Sequence, residues 1–209
     1  MQSQSTKRRP LILSLLVIIV CGIALFDYLQ QPDTHDSQAI TVDEIQIRDS
    51  FSLRDQSGLT VSNERYSDRY KLIFFGFTNC PDICPATLSR MTETLNQLGS
   101  LNHQVYPLFI TVEPERDTPA LLKEYAKAFD PRIIYLTGSS EEIARVLTAW
   151  GELRATIAAA KGETSEESYT IQHSSVLYLM SPDDKVLGSY NWEIPPDKIA
   201  STISQWLAP

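Results

Sequence analysis

Two cysteines stand four positions apart in Phe75-Gly76-Phe77-Thr78-Asn79-Cys80-Pro81-Asp82-Ile83-Cys84-Pro85. A disulfide between them would close too small a loop to stabilise a domain of this size, so the pair reads as chemistry: redox cycling, or capture of one soft ion. Thiolates select Cu(I), Zn(II) or iron–sulfur clusters. Clusters generally take four cysteines. The chain has three, and Cys21 lies in an apolar N-terminal run. The competing view is two inert buried thiols.

Lys71–Phe77 is a nearly continuous apolar run, the pattern of a strand buried on both faces. From Cys84 to Leu98, Ala86, Leu88, Met91, Leu95 and Leu98 recur at helical spacing, and Gly99 stops the helix. The cysteines therefore occupy a strand-to-helix turn at the carboxyl end of a strand, where open α/β sheets bind ligands. The free N–H groups and dipole of a helix start favour thiolate over thiol. If residues 80–84 were helical, the i, i+4 spacing would put both sulfurs on one side.

A third metal ligand must come from elsewhere. His103 sits in a polar connection expected at the opposite end of the sheet, and His35 in a polar N-terminal stretch. His173 precedes a strand, Ser175–Met180, but a lone histidine is more often structural or surface, and the residues alone leave its role open. Met91 and Met180 fall at core spacing and read as packing. Glu113 either approaches the site or pairs with Arg116. Arg116 is also the cation that a peroxidatic thiol at Cys80 or Cys84 would need.

The elements that must position these groups follow the motif. Phe51–Arg54 and Leu59–Val61 form a hairpin about Asp55-Gln56-Ser57-Gly58; Val105–Val112 and Ile133–Leu136 are further strands. Asp117-Thr118-Pro119 opens a helix running to about Phe129, and Ser139 or Ser140 caps another from Glu141 to about Trp150. Ser175–Met180 and Lys185–Tyr190 make a late hairpin, and Pro196–Leu207 a closing helix. Residues 151–170 fit no element and read as a long functional loop or one holding strand pieces. Alternating β and α units with a late hairpin predict an α/β fold, a mixed sheet flanked by helices.

Charge and hydropathy set the surroundings. The formal net charge is −8, and residues 1–27 carry +2 (Lys7, Arg8, Arg9, Asp27), leaving −10 on the remainder. So acidic a body excludes nucleic-acid binding, which needs a basic face, and suits a basic partner surface. Lys7-Arg8-Arg9 precedes Leu11–Leu29, nineteen mainly apolar residues and close to the ~20 of a membrane-spanning helix. The basic flank places the N-terminus in the cytoplasm and the domain outside. A cleaved signal peptide is the alternative, though no small-residue cleavage site is evident. The expected organisation is a cytoplasmic basic N-terminus and transmembrane anchor (1–29), a flexible tether (30–44) and one globular domain (45–209).

Three separated stretches carry a resemblance. Residues 71–90 with Cys80-Pro81-Asp82-Ile83-Cys84-Pro85, then Val112-Glu113-Pro114-Glu115-Arg116-Asp117-Thr118-Pro119, then His173-Ser174-Ser175-Val176-Leu177-Tyr178-Leu179-Met180 together resemble the SCO/SenC copper chaperones. Lys123-Glu124-Tyr125, Phe129-Asp130-Pro131-Arg132 and Leu136-Thr137-Gly138-Ser139 extend the match. The resemblance implies a thioredoxin-like domain, anchored outside the cytoplasmic membrane. It implies that Cys80, Cys84 and His173 bind one copper, as Cu(I) or Cu(II). The implied acceptor is the copper A domain of cytochrome c oxidase subunit II, with a thioredoxin-like reductant or an upstream copper carrier as further partners. Reduction of the acceptor's cysteines is the implied alternative, although thioredoxins usually separate their cysteines by two residues and face them with a cis-proline. Two departures stand out: Gln172 where the family commonly has Asp, and Glu113-Pro114 where it has Asp-Pro.

Overall fold

The computed structural model describes residues 45–46, 51–161 and 175–207, all within one compact unit, Ala39–Pro209. The expected anchor and tether (1–44), Gln172 and His173 lie outside the described residues. Among the described residues, no helix is long and apolar enough to cross a membrane.

Strands β1 (Ile45–Gln46), β2 (Ser52–Asp55), β3 (Thr60–Ser62), β4 (Tyr70–Gly76), β5 (Val105–Thr111), β6 (Ile134–Thr137), β7 (Leu177–Met180) and β8 (Lys185–Tyr190) form one sheet in the order β1-β8-β7-β4-β5-β6-β2-β3. The centre, β4-β5-β6, is parallel; β7 joins β4 antiparallel and β2 joins β6 antiparallel. This is the mixed sheet that the pattern predicts. Among the described residues, four α-helices flank it: α1 (Ile83–Gln97), α2 (Pro119–Tyr125), α3 (Ser140–Lys161) and α4 (Pro196–Leu207).

The apolar run of β4 is buried on both faces because successive side chains alternate. Leu72 and Phe74 join Val105 and Phe109 of β5 under Leu88, Met91 and Leu95 of α1, Leu122 of α2, and Ile199 and Ile203 of α4. Ile73 and Phe75 point the other way, with Leu108 and Ile110, under Ile143, Val146 and Trp150 of α3. Each fully buried aliphatic or aromatic side chain contributes about 1.5–3 kcal/mol. The two faces together fix β4 and hence the turn that leaves it.

α3 corrects one expectation. Residues 151–161 continue the helix rather than beginning a loop. Gly151 costs only about 1 kcal/mol in a helix interior, Ala155 and Ala158–Ala160 are strong helix formers, and no proline interrupts from Arg132 to Ser181. Ser139 settles the cap: Glu142 N–H donates to Ser139 Oγ (3.2 Å) and Ser139 N–H to Glu142 Oε2 (2.6 Å), a reciprocal capping box. The two-residue β1 and the 3₁₀ turns Asn63–Tyr66 and Gly99–Gln104 are additions to the predicted elements.

One buried charge holds the late hairpin. Lys71 on β4 is fully buried, and its Nζ lies 2.6 Å from Asp184 Oδ1 in the β7–β8 turn. Asp184 has φ +61, so the turn adopts a left-handed residue whose carboxylate faces inward. The pair orients β7, whose first residue, Leu177, is in register with Phe74 near the carboxyl end of β4.

Candidate metal centre

The strand β4 ends at Gly76, and the chain turns through Phe77–Asp82 into α1. Both cysteines are reduced and buried, Cys80 at 7% exposure and Cys84 at 2%, and both belong to the α1 side of the core. They meet differently from the helical stacking that their spacing suggests, because α1 begins only at Ile83. Asp82, in the N-cap position, makes no side-chain cap bond. The Cys80 sulfur takes that place, accepting from Cys84 N–H at 3.3 Å.

This arrangement splits the two thiols. Burial pushes Cys80 up, but hydrogen bonds from the Cys84 side chain and from the backbone N–H groups of Cys84, Asp82 and Ile83 outweigh it, and Cys80 is held below the ordinary thiol value. Cys84 goes the other way. Burial, its hydrogen bond to Cys80 and the negative charges at Cys80 and Asp117 push its thiol up to about 12. The helix start thus favours one thiolate, not two.

Glycine at position 76 is required by the closeness of the packing. A Cβ there would lie 2.8 Å from Phe109 Cε2, 2.9 Å from Phe74 Cε1 and 3.0 Å from Cys84 Sγ. The missing methyl leaves room for the second sulfur against the end of β4.

Asp117 anchors the turn, a role its sequence context hid. Fully buried, it accepts from Thr78 N–H (3.0 Å), Thr78 Oγ1 (2.6 Å) and Thr111 Oγ1 (2.6 Å). It ties the segment before Cys80 to the end of β5. The capping expected of this region falls to Thr118, whose side chain accepts from Leu121 N–H at 3.3 Å. Two capping-type residues in succession before Pro119 were the available signal: one suffices for the helix, leaving the other for a tertiary bond. Tyr125 was also missed as a neighbour of the thiols. Burial raises its phenol, and the charges at Cys84, Cys80 and Asp117 raise it further. Its hydroxyl is buried with no hydrogen-bond partner among the described residues.

The remaining candidates separate. Glu113 pairs with Arg116 (3.3 Å), so the cation that a peroxidatic thiol would need is engaged by a carboxylate. Met91 and Met180 are buried on opposite faces of the sheet as packing residues. His103 sits exposed in the 3₁₀ turn before β5, at the opposite end of the sheet from Cys80. Among the described residues, no three His, Cys, Asp or Glu side chains gather as a metal cluster; the two thiols stand as a pair. A soft, thiophilic ion suits that donor set and would need one more ligand.

Comparison with known proteins identifies the family and the fold. The SCO1/SenC family model matches residues 41–208. An SCO2-like protein of Rickettsia felis is 34% identical over 201 residues, covering 95% of this chain and 97% of the relative. The structure of Bradyrhizobium japonicum ScoI with copper bound superposes with a TM-score of 0.61 at 34% identity, covering 76% of this chain and 98% of that one. BsSco, a member of the Sco family of cytochrome c oxidase assembly proteins in which a disulfide switch has been identified, aligns with a TM-score of 0.58 at 29% identity, covering 81% of this chain and 98% of that one. The mixed sheet with helices on both faces is thus the thioredoxin-like Sco fold, and the chain belongs to the SCO1/SenC family.

Proposed function

We propose that this chain is a membrane-anchored copper chaperone in which Cys80, Cys84 and His173 hold one copper ion as cargo. The observation that carries the proposal is the pair of buried, reduced thiols in contact at the mouth of α1, one stabilised toward thiolate by backbone N–H groups. Support for the third ligand comes from topology. Leu177, four residues after His173, is in register with Phe74, so the chain enters β7 at the end of the sheet where Cys80 lies. The copper-bound ScoI relative supports copper as the metal.

Two sulfurs and one imidazole bind copper firmly yet leave room for an incoming donor, so an acceptor can take the ion by stepwise ligand exchange. The acceptor in this reading is the copper A site of cytochrome c oxidase subunit II. Residues 1–29 anchor the chain in the cytoplasmic membrane, and residues 30–44 let the domain reach its partner on the extracytoplasmic side. Gln172 removes a negative charge next to the histidine, which would alter the affinity or exchange rate of the site. The test is copper binding by the wild type and by His173→Ala. The wild type binds one Cu(I), and binds Cu(II) with a thiolate charge-transfer band. The variant loses that band, and an unchanged stoichiometry and spectrum would refute the ligand set.

A second reading, thiol–disulfide exchange on a cuproprotein partner, is favoured by the unlike thiols themselves. A lowered Cys80 can attack while a protonated Cys84 waits to resolve. Reduction of insulin with dithiothreitol at a thioredoxin-like rate would promote it.

A further inference from the structure

Exposed apolar side chains are not spread evenly over this domain. The described residues include five large ones: Leu59, Ile83, Leu121, Trp192 and Trp206. Leu59 lies beyond β2, whose Asp55 pairs with β6 at Leu136 and runs toward the amino ends of the parallel strands. Trp206 closes α4 beside the start of β4, where Tyr70 OH donates to its carbonyl at 2.8 Å. The other three sit at the end that carries Cys80. Ile83 is the first residue of α1, adjacent to Cys84. Leu121 is in the first turn of α2, just after Asp117 and Thr118. Trp192 follows β8, whose Tyr190 pairs with Leu177 opposite the end of β4.

Trp192 is held rather than loose. The Arg90 guanidinium stands 4.9 Å from its ring centroid, and Arg90 Nη2 donates to the carbonyls of Asn191 and Ile194. Asn191 Oδ1 accepts from Glu193 N–H at 3.1 Å, which closes the turn. The indole is nonetheless half exposed, at 49%. Arg90 lies seven residues from Ile83, two turns along the same side of α1, or about 10 Å. Ile83 and Trp192 thus border one stripe of α1 that starts at the thiols. Asp82 and Glu193, each next in sequence to one of these apolar residues, are exposed. Arg90, the cation between them, is committed to the ring and two carbonyls.

A rigid, half-exposed tryptophan is the kind of residue that anchors protein interfaces, and an acidic rim selects a basic one. We propose that Ile83, Leu121 and Trp192, rimmed by Asp82 and Glu193, form the docking face for the copper acceptor, a protein surface with an apolar centre and a lysine- or arginine-bearing rim. This rests on the chaperone reading, and it adds which face the partner covers and what chemistry it presents. Docking there brings the acceptor's ligands to Cys80, which lies beneath the exposed Pro81–Ile83 turn.

The test uses the full-length copper-loaded chain in detergent and the apo copper A domain of subunit II from the same genome, titrated by calorimetry at low and at physiological salt. The wild type binds, more weakly as salt rises. Trp192→Ala weakens binding roughly 10- to 100-fold while its own copper stoichiometry and spectrum are unchanged. Glu193→Lys, a surface change that leaves folding intact, weakens it and flattens the salt dependence. Wild-type binding that neither substitution alters overturns the docking face and leaves the acceptor reading standing. Absence of wild-type binding overturns both.

Discussion

Removing Asp117 should loosen the thiol turn and at the same time release the second sulfur. Its carboxylate receives three short hydrogen bonds from Thr78 and Thr111. Bonds to a charged acceptor contribute about 1.5–3 kcal/mol each, and an orphaned buried N–H costs about 1–3 kcal/mol. In Asp117→Ala the two hydroxyls can rotate toward other acceptors, but Thr78 N–H cannot. The expected loss is therefore about 3–5 kcal/mol, or roughly 6–20 °C in Tm for a domain of this size. Asp117→Asn keeps the shape and one acceptor and should cost about 1–2 kcal/mol. Both substitutions remove a negative charge that raises the Cys84 thiol, so its pKa should fall from about 12. Chemical denaturation gives the first quantity, and the pH profile of Cys84 alkylation in a Cys80→Ser background, with and without Asp117→Asn, gives the second. An Asn variant in which Cys84 titrates at the parent value or higher would show that Asp117 is a structural pin alone. An Ala variant losing less than about 1 kcal/mol would remove even that role.

Two further outcomes follow from the same site. Gly76→Ala places a methyl against Phe109, Phe74 and Cys84, so it should cost about 1–3 kcal/mol in a denaturant titration and shift the copper–thiolate band, whereas a neutral effect would mean that the rings yield freely. Because the Cys84 thiol is raised from 9.0 to about 12 by folding, the stability it contributes is fully present below pH 9 and lost as pH climbs through 12. In unfolding titrations of the reduced apo protein, Cys84→Ser should make the alkaline decline start later and run shallower, the remainder coming from buried phenols such as Tyr125, and an unchanged decline would refute the Cys84 contribution.

How far the sequence disclosed this molecule depended on whether a feature was periodic. Lys71–Phe77 announces a strand buried on both faces, and Leu88, Met91 and Leu95 a helix against it, because burial imposes a repeat that one chain shows by itself. The extension of α3 to Lys161 was hidden by Gly151 and by the absence of a sharp stop. At the site, Cys80 and Cys84 were legible because thiols are scarce and sat at a strand-to-helix turn. Asp117 was not, since its partners Thr78 and Thr111 are brought to it by tertiary folding and nothing local distinguishes its carboxylate from a helix cap. The Glu113–Arg116 pair could be read from spacing, whereas the closeness of Gly76 to a sulfur eight residues on could not.

The difference between the two thiols bears on how a carrier both holds and releases its cargo. If both sulfurs were stable thiolates in the empty protein, the site would carry two buried negative charges a few ångströms apart, which a core closed by Phe74, Phe109 and Leu122 could not solvate. Three N–H groups offset one charge, at Cys80, and the fold leaves the second sulfur protonated. If Cys84 ligates copper as proposed, capture of the ion must displace its proton, and release must return it. On that reading copper affinity should rise with pH across the neutral range, where Cys84 keeps its proton in the empty state, and an affinity that does not change with pH would refute ligation through Cys84. An acceptor that offers a proton as well as ligands would therefore take the ion more readily than one that offers ligands alone.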